Sequence, residues 1–226
     1  MNAREAPRLM VLILSIFLPW PIKRFVLCRL LGFQIDPTAR IGLSWIDSHR
    51  VILGPRAQVG HLTMIRNLDL LQVGQDSGIG SLNSISGHRA GSTYFRHQPD
   101  RRSELLLGSH SAITNRHYLD CSNRIIIGDF TTVAGVRSVW LTHSIDLRMN
   151  RQDTAPILIG DYCFVGAHST VLLGARLPSH CVLGAHSLLR CAFTEEWRLY
   201  AGVPARELQP IEATWQYFCR STGHVK

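Results

Sequence analysis

The chain has 226 residues, the size of one domain, and carries a formal net charge of +8. Such a charge is compatible with lipid headgroups, polyphosphates or nucleic acid as partners. The basic residues are not interleaved with stacking aromatic residues, so we expect no nucleic acid-binding module. The six cysteines form no C-x-x-C pair, which excludes the common cysteine metal motifs and is typical of a reduced, cytosolic protein.

The N-terminal segment, residues 1–34, combines apolar and basic stretches. Residues 9–18 read LMVLILSIFL, too short to span a bilayer, and no small-x-small cleavage site follows them. After Pro19 and Pro21, the basic residues Lys23, Arg24 and Arg29 alternate with apolar ones. We predict an anchor on the membrane surface, with these cations facing anionic lipid. The alternative is a helix that caps the open end of the fold, and the same residues could do both.

A period of six residues dominates the C-terminal third of the chain. Its aliphatic positions are Ile159, Val165, Val171, Leu177, Leu183 and Leu189. This period matches neither a helix nor a simple alternating strand. It is the hexapeptide repeat of a parallel β-helix, in which short strands wind into stacked coils.

The repeat extends backwards through most of the chain. First hexads begin at Ile35, Leu53, Val73, Leu107, Ile127, Ile159 and Leu177, and second hexads at Ile41, Val59, Ile79, Ile113, Val133, Val165 and Leu183. Third hexads begin at Ile65, Ile85, Leu119, Val139, Val171 and Leu189, while Asp47 stands at the third position of the first coil. We therefore predict an all-β solenoid of about seven coils over residues 35–206, followed by a short helix and tail over residues 207–226.

Two long intervals between coil starts indicate two insertions, residues 86–104 and residues 145–158. Insertions in solenoids project from one side, often the binding side. The second begins two residues after His143, which occupies the fifth position of the hexad at residues 139–144, where other coils have a small residue. A bulky imidazole fits poorly there as packing, so we expect it to face outward. The role of the first insertion stays open.

Four segments carry a resemblance to a known family: LTHSIDL at residues 141–147, ILIGDYCFVGAHSTV at 157–171, VLGAHSLL at 182–189 and AGVPAR at 201–206. They resemble the hexapeptide-repeat acyltransferases, in particular the maltose and galactoside O-acetyltransferases and the polysaccharide O-acetyltransferases of bacterial surface-glycan synthesis. The resemblance implies a left-handed β-helix, a homotrimer with each active site between two neighbouring solenoids, and acetyl-CoA as the acyl donor.

The resemblance also implies roles for individual residues. His143 would be the general base that removes a proton from a sugar hydroxyl, and Asp146 or a backbone carbonyl would orient its ring. Ala167 and Ala185 would contact the pantetheine arm of the donor. Arg206 would meet the nucleotide phosphates, with Arg190 near the same end.

On the acceptor side, Asn115, His117 and Asp120 lie one coil below His143 and could bind sugar hydroxyls, although each one taken alone is more readily explained as a solvated coil residue. We expect an acetyl-CoA-dependent O-acyltransferase that modifies a sugar hydroxyl of a surface polysaccharide or glycolipid at the cytoplasmic face of the bacterial inner membrane. The alternatives are a non-catalytic scaffold in a glycan-synthesis complex and a carbonic-anhydrase-like metal enzyme. No H-x4-H pair occurs, so we expect no metal.

Overall fold

The computed structural model of the chain describes residues 5–223; the first four and last three residues of the predicted terminal segments lie outside the described residues. The helices are α1 (Glu5–Ile16), α2 (Trp20–Leu31) and α3 (Gln216–Cys219). The strands are β1 (Gln34–Ile35), β2 (Arg40–Ile41), β3 (Trp45–Leu53), β4 (Gln58–Val59), β5 (Met64–Val73), β6 (Gly78–Ile79), β7 (Ser84–Ser86), β8 (Glu104–Leu107), β9 (Ala112–Ile113), β10 (Tyr118–Asp120), β11 (Ile125–Ile127), β12 (Thr132–Val133), β13 (Val139–Leu141), β14 (His143–Asp146), β15 (Arg151–Thr154), β16 (Ile157–Ile159), β17 (Phe164–Val165), β18 (Thr170–Leu172), β19 (Arg176–Leu177), β20 (Val182–Leu183), β21 (Leu188–Leu189), β22 (Arg198–Gly202) and β23 (Ala205–Pro210).

Short parallel strands stack along the whole chain, as expected of a β-helix. One sheet runs in the order β2-β4-β6-β9-β12-β17-β20-β22-β23, and we call its parallel part the second face. Buried aliphatic residues stand opposite one another in it: Ile41, Val59, Ile79, Ile113, Val133, Val165 and Leu183. These are the residues predicted to begin the second hexads.

The remaining parallel strands form the other two faces. The first face contains β1, β8, β11, β16 and β19, and the third face contains β7, β10, β13, β18 and β21. The long strands β3 and β5 run from the third face into the first without a sharp corner, which joins both faces into one sheet. We call the corner between the second and third faces the entry corner, and the corner between the third and first faces the exit corner.

Two predicted hexad positions are wrong by one residue. Ile46, not Asp47, stands opposite Ile65 and is buried, because the corner between Ile41 and Ile46 holds one residue fewer than the corner between Val59 and Ile65. Trp140, not Val139, stands opposite Leu119 and Val171 and is fully buried.

The second shift arises at the entry corner of that coil. This corner holds one more residue between Val133 and Trp140 than the matching corner between Val165 and Val171. Gly135 accommodates the extra residue with a φ of 71°, a conformation that costs glycine little. His143 consequently lies just beyond the end of its third-face strand.

The N-terminal helices close the open end of the solenoid. Leu12 of α1 and Leu27 of α2 join the core. Lys23 Nζ donates a hydrogen bond to the carbonyl oxygen of Gly42 at 2.6 Å, and Arg24 donates to the carbonyl oxygen of Ile35 at 2.9 Å. Burial lowers the pKa of Lys23 to about 8. The expectation that Lys23 and Arg24 face lipid headgroups is therefore wrong, because both satisfy carbonyl groups of the first coil.

The opposite side of these helices is apolar and exposed. Its residues are Leu9, Met10, Ile13, Leu14 and Phe17 of α1, and Ile22, Phe25 and Leu30 of α2. Within residues 5–223, no helix combines the length and apolar character needed to cross a lipid bilayer.

The C-terminal segment packs along the corner between the first and second faces. A column of stacked rings fills this corner: His110, Phe130, Tyr162, His180 and Trp197, with centroids 4.2–5.3 Å apart. Phe218 of α3 packs on Trp197 at 5.5 Å, and the guanidinium of Arg220 lies over Tyr162. The predicted domain boundary at residue 206 falls within β23, which pairs antiparallel with β22.

Candidate active site

His143 and Asp120 form a hydrogen-bonded pair at the exit corner. Asp120 ends β10, and the register of β10 with β13 places it opposite Leu141, two residues before His143. Nδ1 of His143 lies 2.7 Å from Oδ2 of Asp120. The Asp120 side chain is 5% exposed and that of His143 is 33% exposed, so the carboxylate is enclosed while the imidazole reaches solvent.

The surroundings of Asp120 keep it ionised. Burial raises the pKa of Asp120, but hydrogen bonds from His143, Ser122 and Thr142 outweigh this effect, so the pKa is lowered overall. Ser122 Oγ donates to Oδ1 at 2.6 Å, and Thr142 Oγ1 donates to Oδ2 at 3.0 Å. A buried carboxylate with these donors is a fixed negative charge at neutral pH.

That charge determines the state of His143. The hydrogen bond to Asp120 raises the pKa of His143, and this effect exceeds the opposing effect of burial. An ionised carboxylate can only accept, so the proton of neutral His143 resides on Nδ1 and Nε2 keeps its lone pair. The outward nitrogen is thus a proton acceptor, the arrangement that a general base requires.

Asp146 does not orient His143, contrary to the sequence prediction. Its Oδ1 accepts hydrogen bonds from the backbone N–H groups of Arg148 at 3.0 Å and Met149 at 3.2 Å. Asp146 lies at the turn end of the β14–β15 hairpin, opposite Arg151, and therefore caps that turn.

Two of the three predicted acceptor residues are also corrected. Asp120 is enclosed by the contacts above and has no free face for a sugar. His117 is buried, its Nε2 lies 2.9 Å from Thr114 Oγ1, and its Nδ1 accepts a hydrogen bond from the backbone N–H of Ser138 at 3.2 Å. Burial lowers the pKa of His117 to about 4. This histidine is a neutral core residue.

Asn115 is exposed but lies at the entry corner, across the third face from His143. Its Oδ1 accepts a hydrogen bond from the backbone N–H of Ser81 at 2.7 Å. It borders a concavity of about 600 Å³ on the second face, together with Trp20, Arg40 and His61. The structure therefore does not bring Asn115 to the histidine of the same chain.

The predicted donor residues occupy mainly one edge. Ala167 and Ala185 lie at the entry corner of adjacent coils, where a Cβ added to Gly166 would stand 2.4 Å from the backbone nitrogen of Ala185. Arg206 pairs with Ala201 at the end of this edge and is exposed. Arg190 follows β21 and therefore lies at the exit corner. The entry corner thus offers a narrow track of small residues that ends at a cation.

The sequence prediction missed two features of the site. The first is Asp120 as the partner of His143, which the strand register would have revealed. The second is the insertion at residues 86–104, which folds back toward the base: the ring centroids of His88 and Phe95 lie 6.1 and 6.3 Å from that of His143. A signal existed, since His88 follows the buried Ile85 by three residues, as His143 follows Trp140.

Within residues 5–223, no group of three or more His, Cys, Asp or Glu side chains is placed to hold a metal ion.

The stack of parallel hexapeptide coils is the fold that the resemblance to the hexapeptide-repeat acyltransferases predicted. No protein-family model matches the chain. Among curated proteins it is similar to "Probable acetyltransferase Rv3034c" of Mycobacterium tuberculosis, with 24% identity over 201 residues and 88% of this chain covered. The chain spans 61% of the length of that relative.

Two solved structures establish the likeness of fold. One is a mutant of AntD, an N-acyltransferase from Bacillus cereus in complex with dTDP-4-amino-4,6-dideoxyglucose and coenzyme A; it has a TM-score of 0.56 at 18% identity and covers 71% of this chain and 83% of its own. The other is the polysialic acid O-acetyltransferase OatWY, with a TM-score of 0.53 at 16% identity and coverage of 84% and 90%.

Proposed function

We propose that this protein is an acyl-CoA-dependent O-acyltransferase that transfers an acetyl group from acetyl-CoA to a sugar hydroxyl in surface polysaccharide or glycolipid biosynthesis. The observation that carries this proposal is the bond between His143 and the enclosed carboxylate of Asp120. The relative and the two solved structures support it, since each is described as an acetyltransferase or acyltransferase and one was crystallised with coenzyme A.

The proposed chemistry needs only one proton acceptor. Nε2 of His143 takes the proton of the sugar hydroxyl while the hydroxyl oxygen attacks the thioester carbonyl, and a tetrahedral intermediate forms. Collapse of this intermediate breaks the C–S bond, and His143 returns the proton to the leaving thiolate as free coenzyme A departs. Asp120 stabilises the imidazolium that exists between these steps. General base catalysis of this kind contributes about 100- to 10,000-fold.

We further propose a left-handed solenoid of about seven coils that assembles as a homotrimer. The positions of the proposed base and donor track support the assembly of neighbouring copies. His143 lies at the exit corner, whereas Ala167 and Ala185 lie at the entry corner, on opposite edges of the third face. A second copy that brings its entry corner to the exit corner of the first would complete the site.

The exposed apolar side of α1 and α2 supports a peripheral position on the cytoplasmic face of the inner membrane. Eight large apolar side chains of α1 and α2 are exposed, and Arg29 of α2 is exposed as well. Large exposed apolar patches mark interaction surfaces, and helices of this kind lie in the plane of the interface.

A thiol-release assay tests the proposed function. Wild-type protein with acetyl-CoA should release free coenzyme A thiol only when a suitable sugar from a panel is added. The rival proposal, a non-catalytic scaffold, expects no sugar-dependent release and no stabilisation by coenzyme A in thermal unfolding.

The pH dependence of kcat/KM should report the His143–Asp120 pair. Neutral His143 is the active form, so activity should fall as the pH drops through its raised pKa, and the acidic limb should lie above the ordinary histidine value of about 6.5. In Asp120→Asn the carboxylate no longer raises the pKa of His143, so the pH profile of the remaining activity should have its acidic limb at lower pH. An unchanged limb would show that another group controls the profile.

Replacement of Arg206 by alanine should raise the KM for acetyl-CoA about tenfold or more, because a hydrogen bond to a charged group contributes roughly 1.5–3 kcal/mol. Turnover should change less, since a phosphate contact far from the reacting carbonyl stabilises ground and transition states alike. Steady-state kinetics with Arg190→Ala as the matched variant make the comparison. If the KM for acetyl-CoA rises in Arg190→Ala and not in Arg206→Ala, the phosphate contact lies at the exit corner.

A further inference from the structure

The insertion at residues 86–104 brings an aromatic wall to the proposed base. His88 lies with its ring centroid 5.4 Å from Tyr94, 5.8 Å from Phe95 and 6.1 Å from His143. Phe95 is buried, whereas Tyr94 is 62% exposed. One ring therefore anchors the insertion while the other presents its surface to solvent beside the pair of histidines.

Buried polar contacts hold this wall in place. The guanidinium of Arg101, itself buried, donates hydrogen bonds to the carbonyl oxygens of His88, Arg89 and Ser122. It also lies 4.5 Å from the ring centroid of Phe95. Because Ser122 belongs to the coil that carries Asp120, the same side chain fixes the insertion relative to the His143–Asp120 pair.

Two carboxylates bind the segments that flank the wall, one through backbone N–H groups and one through a side chain. Asp69 accepts hydrogen bonds from the backbone N–H groups of Ala90 at 2.9 Å and Ser103 at 2.8 Å. Asp47 accepts a charged hydrogen bond from Arg89 at 2.5 Å. The segment next to His88 is thus a built element of the fold.

The first insertion is also joined to the second. Gln98 Nε2 donates to Asp153 Oδ1 at 2.8 Å, and Thr154 Oγ1 donates to Gln98 Oε1 at 2.5 Å. Asn123 Nδ2 donates to Thr154 Oγ1 at 2.9 Å and connects both to the coil. The two insertions therefore form one continuous rim on the side of the molecule where His143 emerges.

We propose that residues 86–104 form a wall of the acceptor site, with Tyr94 as a stacking surface for a pyranose ring and His88 as a hydrogen-bonding contact to its hydroxyls. This inference rests on the proposed function and gives its acceptor a binding surface. The electron-rich face of an aromatic ring attracts the C–H groups on the apolar face of a sugar, and a tyrosine supplies that face with little loss of side-chain freedom.

The two histidines have different roles in this arrangement. The carboxylate of Asp120 bonds to His143, which makes His143 the base. Partial burial and the neighbouring His143 both lower the pKa of His88. Near neutral pH His88 therefore carries one donor and one acceptor nitrogen, which suits a contact to hydroxyl groups.

Saturation-transfer NMR on the full-length protein with coenzyme A present tests the wall. The probes are methyl α-D-glucopyranoside, methyl β-D-galactopyranoside and N-acetyl-D-glucosamine, with irradiation of the aromatic protons. Wild-type protein should transfer saturation to at least one probe, and Tyr94→Ala should reduce that transfer about fivefold or more. Tyr94→Phe should keep most of it, because the ring remains.

His97→Ala is the matched control, since His97 is an exposed ring of the same insertion. The inference is wrong if wild-type protein transfers saturation to none of the three probes, or if Tyr94→Ala transfers as much as wild type. It is also wrong if His97→Ala loses as much transfer as Tyr94→Ala. Thiol release with the same sugars separates this result from the function. If thiol release requires a sugar but is unaffected by Tyr94→Ala, the proposed wall is wrong and the proposed acyltransferase function stands. If a sugar binds in a Tyr94-dependent way but no thiol is released, the sugar-binding site stands and the proposed acyltransferase function is wrong.

Discussion

Replacement of His143 by alanine, or of Asp120 by asparagine, is expected to lower turnover by about 100-fold or more while the fold and coenzyme A binding are retained. In the first variant the proton acceptor is lost. In the second the neutral amide no longer stabilises the imidazolium, and it can donate to Nδ1 and favour the wrong tautomer. Initial rates of thiol release, with coenzyme A affinity measured separately, give the two quantities.

Asp146→Asn is the control for this experiment. It makes the same chemical change three residues from His143, at a side chain that caps a hairpin turn. Its turnover should stay near that of wild type. A His143→Ala variant with a tenth of wild-type turnover on its true acceptor would remove His143 as the base. A loss in Asp146→Asn equal to that in Asp120→Asn would restore Asp146 as the orienting residue.

Replacement of Phe17 and Phe25 by serine is expected to release the protein from lipid vesicles. These rings are 79% and 63% exposed on the apolar side of α1 and α2. Burial of a phenylalanine side chain contributes roughly 1.5–3 kcal/mol, so removal of both should weaken binding by about 100-fold or more. Flotation with phosphatidylcholine vesicles, with and without phosphatidylglycerol, measures the effect.

The capping contacts change what is expected of the lipid charge. Lys23 and Arg24 bind carbonyl groups of the first coil, so of the three predicted cations only Arg29 is exposed to headgroups. Binding to neutral vesicles should therefore approach binding to anionic ones. The matched variant carries Leu62→Ser and Leu208→Ser, which replace two exposed apolar residues outside the helices. It should still float with the vesicles. If the wild-type protein floats with neither kind of vesicle, the helices only cap the solenoid and do not bind the membrane.

Deletion of residues 1–31 should destabilise the solenoid itself. It would remove Leu12 and Leu27 from the core and expose the carbonyl groups of Ile35 and Gly42. Loss of solubility in such a variant would follow from the open end of the solenoid, whatever the role of the apolar side.

The period of six predicted most of the coil positions because each aliphatic residue must face the same narrow interior. Residues such as Val165 and Leu183 could be assigned from sequence alone, since nothing interrupts the count between them. Trp140 could not, because the extra residue at its corner can be placed only once β13 is paired with β10 and β18. One shifted residue changed the expected surroundings of His143.

The site was predicted in part for a related reason. His143 stood out because it breaks a repeat, which is a local signal. Its partnership with Asp120, 23 residues earlier, depends on the register between two coils, and Asp146 was the nearer carboxylate in sequence. The approach of His88 and Phe95 depends on Arg101, whose contacts no local pattern indicates.

The rim also changes how the stack of coils should come apart. In a simple solenoid each coil touches only its neighbours, and the ends fray independently of the middle. Here Asp47 of the first coil holds both Arg8 of α1, at 3.7 Å, and Arg89 of the first insertion. The insertion in turn bonds to Thr154, several coils further along. We therefore expect the end that carries the apolar helices and the rim beside His143 to behave as one cooperative unit, in which order at the first coil and order at the site are gained and lost together.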